Sequence, residues 1–307
     1  MFRKAVLLAL VGAAATIAQV LEGWTDTTLA QYLLQVEQLE NDFFSQGLTQ
    51  FADTDFDDAG YPAWVRNRIE QIADHEAAHV SDLTNTLGEG APAPCTYSFP
   101  LTDVDSFVDL AQQITTVAAS AGIGAVGFIN GTGLAIYASS IAATESRQAG
   151  WLTAAVEKFQ PWNGAWETPL APSEAWSLLD GYVTECPDGN PTLPFHSYPA
   201  LTITPTYPTA DTTVTVGLSL KSSVQQFYLA WLNGLIVQYS PITGGQATVP
   251  EGLNGTVYAI VVSSPDPPST DNIASGAAIV QFPFDSHVSD TDPSDLPKVK
   301  SRFFRNI

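Results

Sequence analysis

Positive charge is what this chain lacks most: 11 Lys and Arg stand against 32 Asp and Glu, for a net charge of −21. Such a field repels phosphate backbones, which excludes a nucleic-acid partner. Charged residues of any kind make up only 14%, well below the usual quarter or so, so Ser, Thr, Asn and Gln carry much of the surface polarity. A long apolar run is also missing. The stretch from Ala5 to Ile17 is shorter than the roughly 20 residues of a bilayer span, and nothing comparable follows it. A cleaved secretory signal is therefore expected rather than a membrane anchor. There is no Gly-x-Ser-x-Gly elbow and no phosphate-cradling loop; the Gly122–Gly133 stretch has no lysine and reads as a linker. Cysteine occurs twice, at Cys95 and Cys186. In an oxidising compartment one disulfide is the economical reading, with two separate buried thiols as the alternative.

What is present is apolar mass. The chain is 45% hydrophobic and 10% aromatic over 307 residues, enough for a sizeable core and more than one core usually holds, so two domains are expected. The start, Met1-Phe2-Arg3-Lys4, is basic, leads into the apolar run and ends in small residues up to Ala18. That is the layout of a secretory signal cleaved after Ala18, and it predicts an extracellular protein with no membrane contact after cleavage. The sequons at Asn130 and Asn254 are candidate glycosylation sites.

From Thr25 to about Val183 apolar residues recur at helical spacing. A first helix starts near Asp26 and a second runs from about Pro62 to Leu87, stopped by Ala91-Pro92-Ala93-Pro94. A third starts near Asp103, a fourth carries Leu134 to Leu152, and a short one spans Ser173–Thr184. Four long amphipathic helices make a bundle. Beyond Cys186 the period changes to two, with seven short strands between Leu201 and Phe282. They predict a small Ig-like β-sandwich. The resulting division is a signal at 1–18, a helical bundle at 19–185, a sandwich at 186–285 and a loose polar tail at 286–307. Trp151, Trp162, Trp166 and Trp176 read as packing between the two halves, with stacking on a carbohydrate or other cell-wall polymer as the alternative.

Charged residues stand where a core should be. On a helical wheel Glu76 sits at the centre of the second helix's apolar face, with His79 one turn on. Glu145 and Gln148 take the same place on the fourth helix, and Glu40 and Glu37 lie at the centre and edge of the first. Burying several carboxylates together is untenable without protons, a cation or an Arg partner. A Glu-x-x-His pair with single Glu residues from other helices is how a bundle builds a carboxylate-bridged metal site. Oxygen and imidazole donors suit iron, manganese or zinc. His75-Glu76-Ala77-Ala78-His79 is also the HExxH pattern of zinc proteases. Asp82 and Asn85 stand where its elongated form needs Gly and His, and the wheel turns Glu76 inward and His75 to the edge, which favours the bundle reading.

The order and spacing of several stretches resemble a known family. They are Val36–Phe44, Ile72–His79, Pro94–Pro100, Ser140–Arg147, Pro161-Trp162 with Thr168-Pro169-Leu170, and Cys186-Pro187 with Asn190–Pro194. The chain resembles the secreted ferritin-like domain proteins of fungi, a stress-responsive group related to desiccation-related proteins. The resemblance implies a mainly α plus β chain, a ferritin-like four-helix bundle followed by a C-terminal β extension. It also implies six metal ligands: one Glu on the first helix, Glu76 and His79 on the second, one Glu on the third, and a Glu-x-x-His pair on the fourth. Glu37 or Glu40, Glu76, His79 and Glu145 match. Thr115 replaces the Glu of the third helix and Gln148 the His of the fourth, so the expected site is partly degenerate. The function expected is stress-associated metal binding or a structural extracellular role. The alternatives are a metal-dependent oxidase or peroxide-consuming enzyme, and a polymer-binding module.

Overall fold

The computed structural model describes residues 23–218 and 226–283; the expected signal segment, the tail and the end of the second sandwich strand lie outside them. Six helices occur among the described residues: α1 Asp26–Gln50, α2 Asp53–Asp58, α3 Ala63–Leu87, α4 Val104–Val126, α5 Thr132–Trp151 and α6 Pro172–Leu179. The four long ones form two hairpins, α1 with α3 and α4 with α5, joined by a crossover through residues 88–103. That is the one-long-crossover bundle connectivity.

Local chemistry sets the helix limits. Thr25 caps α1 by accepting from the Thr28 amide, with Thr28 answering in a capping box, and Asp103 does the same for α4 through Ser106. Asp26 accepts from the amides of Asn130 and Gly131 at 2.8 and 2.7 Å, fastening the start of α1 to the start of α5. Gly88, at φ 55°, ends α3. Gly124 is required by close approach, because a Cβ there would lie 1.8 Å from the Leu170 carbonyl oxygen. A π-helical turn, Leu152–Val156, continues α5. The expected last helix ends at Leu179; a 3-10 turn and a strand replace its second half.

The crossover is a strap over α1. Gln31, Gln38, Gln46 and Gln50 donate to the carbonyls of Gly90, Pro92, Tyr97 and Leu101 at 2.7 to 3.3 Å. The strap contains β1, Thr96–Tyr97, which pairs with β2, Val183–Glu185. Beside that pair Cys95 and Cys186 form the disulfide, and Asn190 exchanges two hydrogen bonds with the backbone of Ala93. Covered in this way, α1 buries fifteen of its residues.

Seven further strands follow: β3 Thr202–Thr204, β4 Thr213–Gly217, β5 Phe227–Asn233, β6 Ile236–Ile242, β7 Gln246–Thr248, β8 Gly255–Val262 and β9 Ala278–Phe282. They form two antiparallel sheets, β3-β4-β7 and β6-β5-β8-β9. Leu229, Trp231, Val257, Ala259 and Val261 meet Ile203, Val214 and Ala247 in the core between them. Every residue of β8 is buried. One face of β8 belongs to that core, and the other carries Tyr258 into the helical core. The Tyr258 hydroxyl lies 2.9 Å from the Ser120 hydroxyl and donates to the Thr116 carbonyl at 3.2 Å. The sandwich thus does for α4 what the strap does for α1. The four tryptophans do not form one cluster. Trp151 meets Trp64 edge-on and Trp176 stacks on Phe195, while Trp162 and Trp166 are more than half exposed.

Candidate metal centre

Three helices each present a polar pair at i and i+3 to the bundle interior: Glu37 and Glu40 from α1, Glu76 and His79 from α3, Glu145 and Gln148 from α5. That spacing puts both members on one helical face. Glu40, Glu76 and Glu145 are fully buried, Glu37 is 2% exposed and Gln148 is buried. His79 is the most open member, at 15%.

Ligand atoms from Glu37, Glu76, His79 and Glu145 all lie within 4.8 Å of one another, a group that could hold a metal ion. Nδ1 of His79 is at the centre, 2.9 Å from Glu37 Oε2, 3.2 Å from Glu76 Oε2 and 3.6 Å from Glu145 Oε1. Nε2 of Gln148 donates to Glu76 Oε1 at 3.2 Å and lies 3.2 Å from Nδ1 of His75. Glu40 falls outside the four-residue group, and both its oxygens lack a hydrogen-bond partner, as do both oxygens of Glu145 and Oε1 of Gln148. Thr115 is buried with an unpartnered hydroxyl. His75 is exposed and stays outside the group, so the two histidines of the protease-like pattern do not share a centre.

Burial dominates the electrostatics. Desolvation pushes Glu37 up to about 7 against the hydrogen bond from His79. Desolvation also raises Glu40 and Glu145 well above the ordinary carboxylate range. The charges of Glu76 and Glu37 add to both, and that of Glu40 adds to Glu145. For His79 burial opposes the charge, but hydrogen bonds to Glu37 and Glu76 outweigh it and carry the pKa to about 10. Burial thus favours the neutral carboxyls of Glu37, Glu40 and Glu145, while the hydrogen bonds to Glu37 and Glu76 favour the charged imidazole of His79.

Sequence reasoning missed a second buried carboxyl. Glu174, at the start of α6, is pushed by burial to about 7, and its Oε2 has no partner. The Tyr32 and Tyr198 hydroxyls, which its charge influences, are also buried without partners. Glu174 falls in the first turn of a helix beginning at proline, where an acidic residue is ordinary capping, so no pattern pointed to its burial.

A crossover bundle with a Glu-x-x-His pair and two further carboxylates converging in its interior is the ferritin-like arrangement. Residues 25–158 match the family model for the ferritin-like domain. Over 165 residues, 54% of this chain, the sequence is 35% identical to Protein rds1 of Schizosaccharomyces pombe. The match spans 41% of that fungal relative's length.

Proposed function

We propose that this protein is a secreted, ferritin-like metal-binding protein whose centre is reduced to one ion, held by Glu37, Glu76, His79 and Glu145. The observation that carries the reading is the convergence of three buried carboxylates and one imidazole, with oxygens that no protein donor satisfies. Leaving such groups unpaired costs several kcal/mol apiece, so a cation has somewhere to act. Four donors suit one iron, manganese or zinc ion. A second ion finds too few: Thr115 brings no charge, and the amide of Gln148 donates to Glu76 instead of offering it a base. A bound ion would supply Lewis acidity or redox chemistry, which keeps an oxidase or peroxide-consuming activity as the second reading.

The chain's own residues supply the rest. Ion binding requires Glu37, Glu145 and His79 to give up protons that burial and mutual hydrogen bonding hold, so affinity rises with pH through neutrality. The amide of Gln148 holds the Glu76 carboxylate from behind. Secretion, a stress-associated or structural role, glycans at Asn130 and Asn254, and contact with extracellular polymer are parts of the same proposal. The leader-like first eighteen residues support it, as do the disulfide, the exposed position of Asn130 and the exposed Trp162 and Trp166. Elemental analysis of protein purified from the medium tests the reading: about one transition-metal ion per chain is expected, and Glu76→Ala should abolish it. A metal content near zero after growth in metal-replete medium would overturn it.

A further inference from the structure

The bundle is closed on one side and open on the other. The backbones of α1 and α4 approach closely, whereas those of α3 and α5 hardly meet. Their facing edges instead line a groove of about 620 Å³, within the range of roughly 300–1,000 Å³ typical of small-molecule sites. Arg68, Gln71 and Ile72 line it from α3, and Arg147, Gln148 and Trp151 from α5.

Its charge runs against the rest of the molecule. Only four basic side chains, Arg66, Arg68, Arg147 and Lys158, occur among the described residues of a chain with net charge −21. Arg66 is paired with Asp53 and Glu70, and Lys158 bonds the Ala155 carbonyl. The other two both face this groove, from opposite walls, and neither forms an ion pair among the described residues. Arg68 donates only to the neutral amide of Gln71, at 2.6 Å. A guanidinium fork without a carboxylate is suited to taking one from a ligand. Trp151 and Ile72 supply an apolar wall beside the arginines, which suits a guest with a flat apolar body rather than an inorganic anion.

We propose that the groove between α3 and α5 binds a small organic monocarboxylate with a flat apolar body, its carboxylate between Arg68 and Arg147 and its body against Trp151. His79 and Gln148 also line the groove, so the metal centre borders it; the inference rests on Arg68, Arg147 and Trp151 and is tested on metal-free protein. Both arginines are exposed, so their replacement does not threaten the fold. The test is calorimetric titration of the full chain with benzoate, benzyl alcohol and inorganic phosphate. Saturable one-to-one benzoate binding is expected, weakened about tenfold by Arg68→Gln and again by Arg147→Gln, since a charge-assisted bond contributes about that factor. Benzyl alcohol should give no saturable signal, and phosphate should bind at least about tenfold more weakly than benzoate. Glu145→Gln, which damages the metal centre, should leave benzoate binding intact, so that either proposal can fail without the other. Absent benzoate binding, affinity unmoved by both arginine variants, or phosphate binding as tightly as benzoate would overturn the proposal. So would a dimer in sedimentation that the arginine variants dissociate, because a second copy would then be the occupant.

Discussion

The helices of the bundle divide into an inner pair and an outer pair. Helix α1 buries fifteen residues and α4 seventeen, whereas α3 and α5, of similar length, bury five and six. The inner pair is covered on both sides, α1 by the strap and α4 by the sandwich, and it holds the aromatic core around Phe43, Phe44 and Phe107. The outer pair keeps a narrow buried stripe, and much of that stripe is polar: Glu76 on α3, Glu145 and Gln148 on α5. The candidate metal centre draws Glu76, His79 and Glu145 from the outer pair and Glu37 from α1. An open α3–α5 edge gives up packing and in return exposes His79 and the groove.

Substitutions can break this division. The largest effect should follow reduction of Cys95–Cys186, which ties the strap over α1. With a sequence separation of 91 the loss is about 4.5 kcal/mol by chain entropy, read as a fall in denaturant midpoint. Next comes Phe107→Ala on α4, whose ring meets Phe43, Phe44, Phe51 and Phe56; it should cost roughly 3–5 kcal/mol. The matching change on the outer pair, Gln71→Ala, should stay within about 0.5 kcal/mol. Equal losses at the two positions would dissolve the comparison.

A pH effect of intermediate size belongs to α6, which packs on the inner pair. Burial raises Glu174 from 4.5 to about 7. The folded protein keeps this proton after the unfolded chain has released it, so this group lowers stability as pH rises from 4.5 to 7, by about 3 kcal/mol. Glu174→Gln should remove that part of the slope, measured as the difference between the two stability–pH curves. Identical slopes would show that the carboxyl is ionised at neutral pH. On the outer pair, a metal ion at a hundredfold excess over its dissociation constant should stabilise the chain by about 2.7 kcal/mol, lost in His79→Ala. Smallest of all, Arg68→Gln should leave stability within about 0.5 kcal/mol while changing what the groove binds.

Much of this was legible in the sequence, for identifiable reasons. The starts of α1, α3 and α4 follow from Thr25, Pro62 and Asp103, because these signals are local, whereas residues 122–126, read as part of a glycine-rich linker, are the buried end of α4. All seven sandwich strands follow from the period of two. Helix α2 escaped because six residues are too few to show a period, and the run from Ser173 was carried past Leu179 because Tyr182 and Val183 fit a helical spacing. The convergence of Glu76, His79 and Glu145 was readable from inward angles, whereas the wheel put Glu40 at the centre of α1's face and Glu37 at its edge. The choice between Glu37 and Glu40 was not readable, since both face inward and only the distances to His79 separate them. The glutamine row of α1 was invisible, because a polar residue becomes buried only when the strap comes to cover it. The α3–α5 groove was hidden for the same reason: an exposed arginine has no meaning until its neighbour across the bundle is known.

The central claim, one ion where a ferritin-like bundle with six ligands holds two, is tested most directly by the stoichiometry of metal binding. Metal-free protein titrated anaerobically with Fe(II), and separately with Mn(II) and Zn(II), should saturate at one equivalent per chain. The saturation should disappear in Glu76→Ala and survive in Thr115→Ala. Saturation at two equivalents, or binding that Glu76→Ala leaves unchanged, would contradict the account.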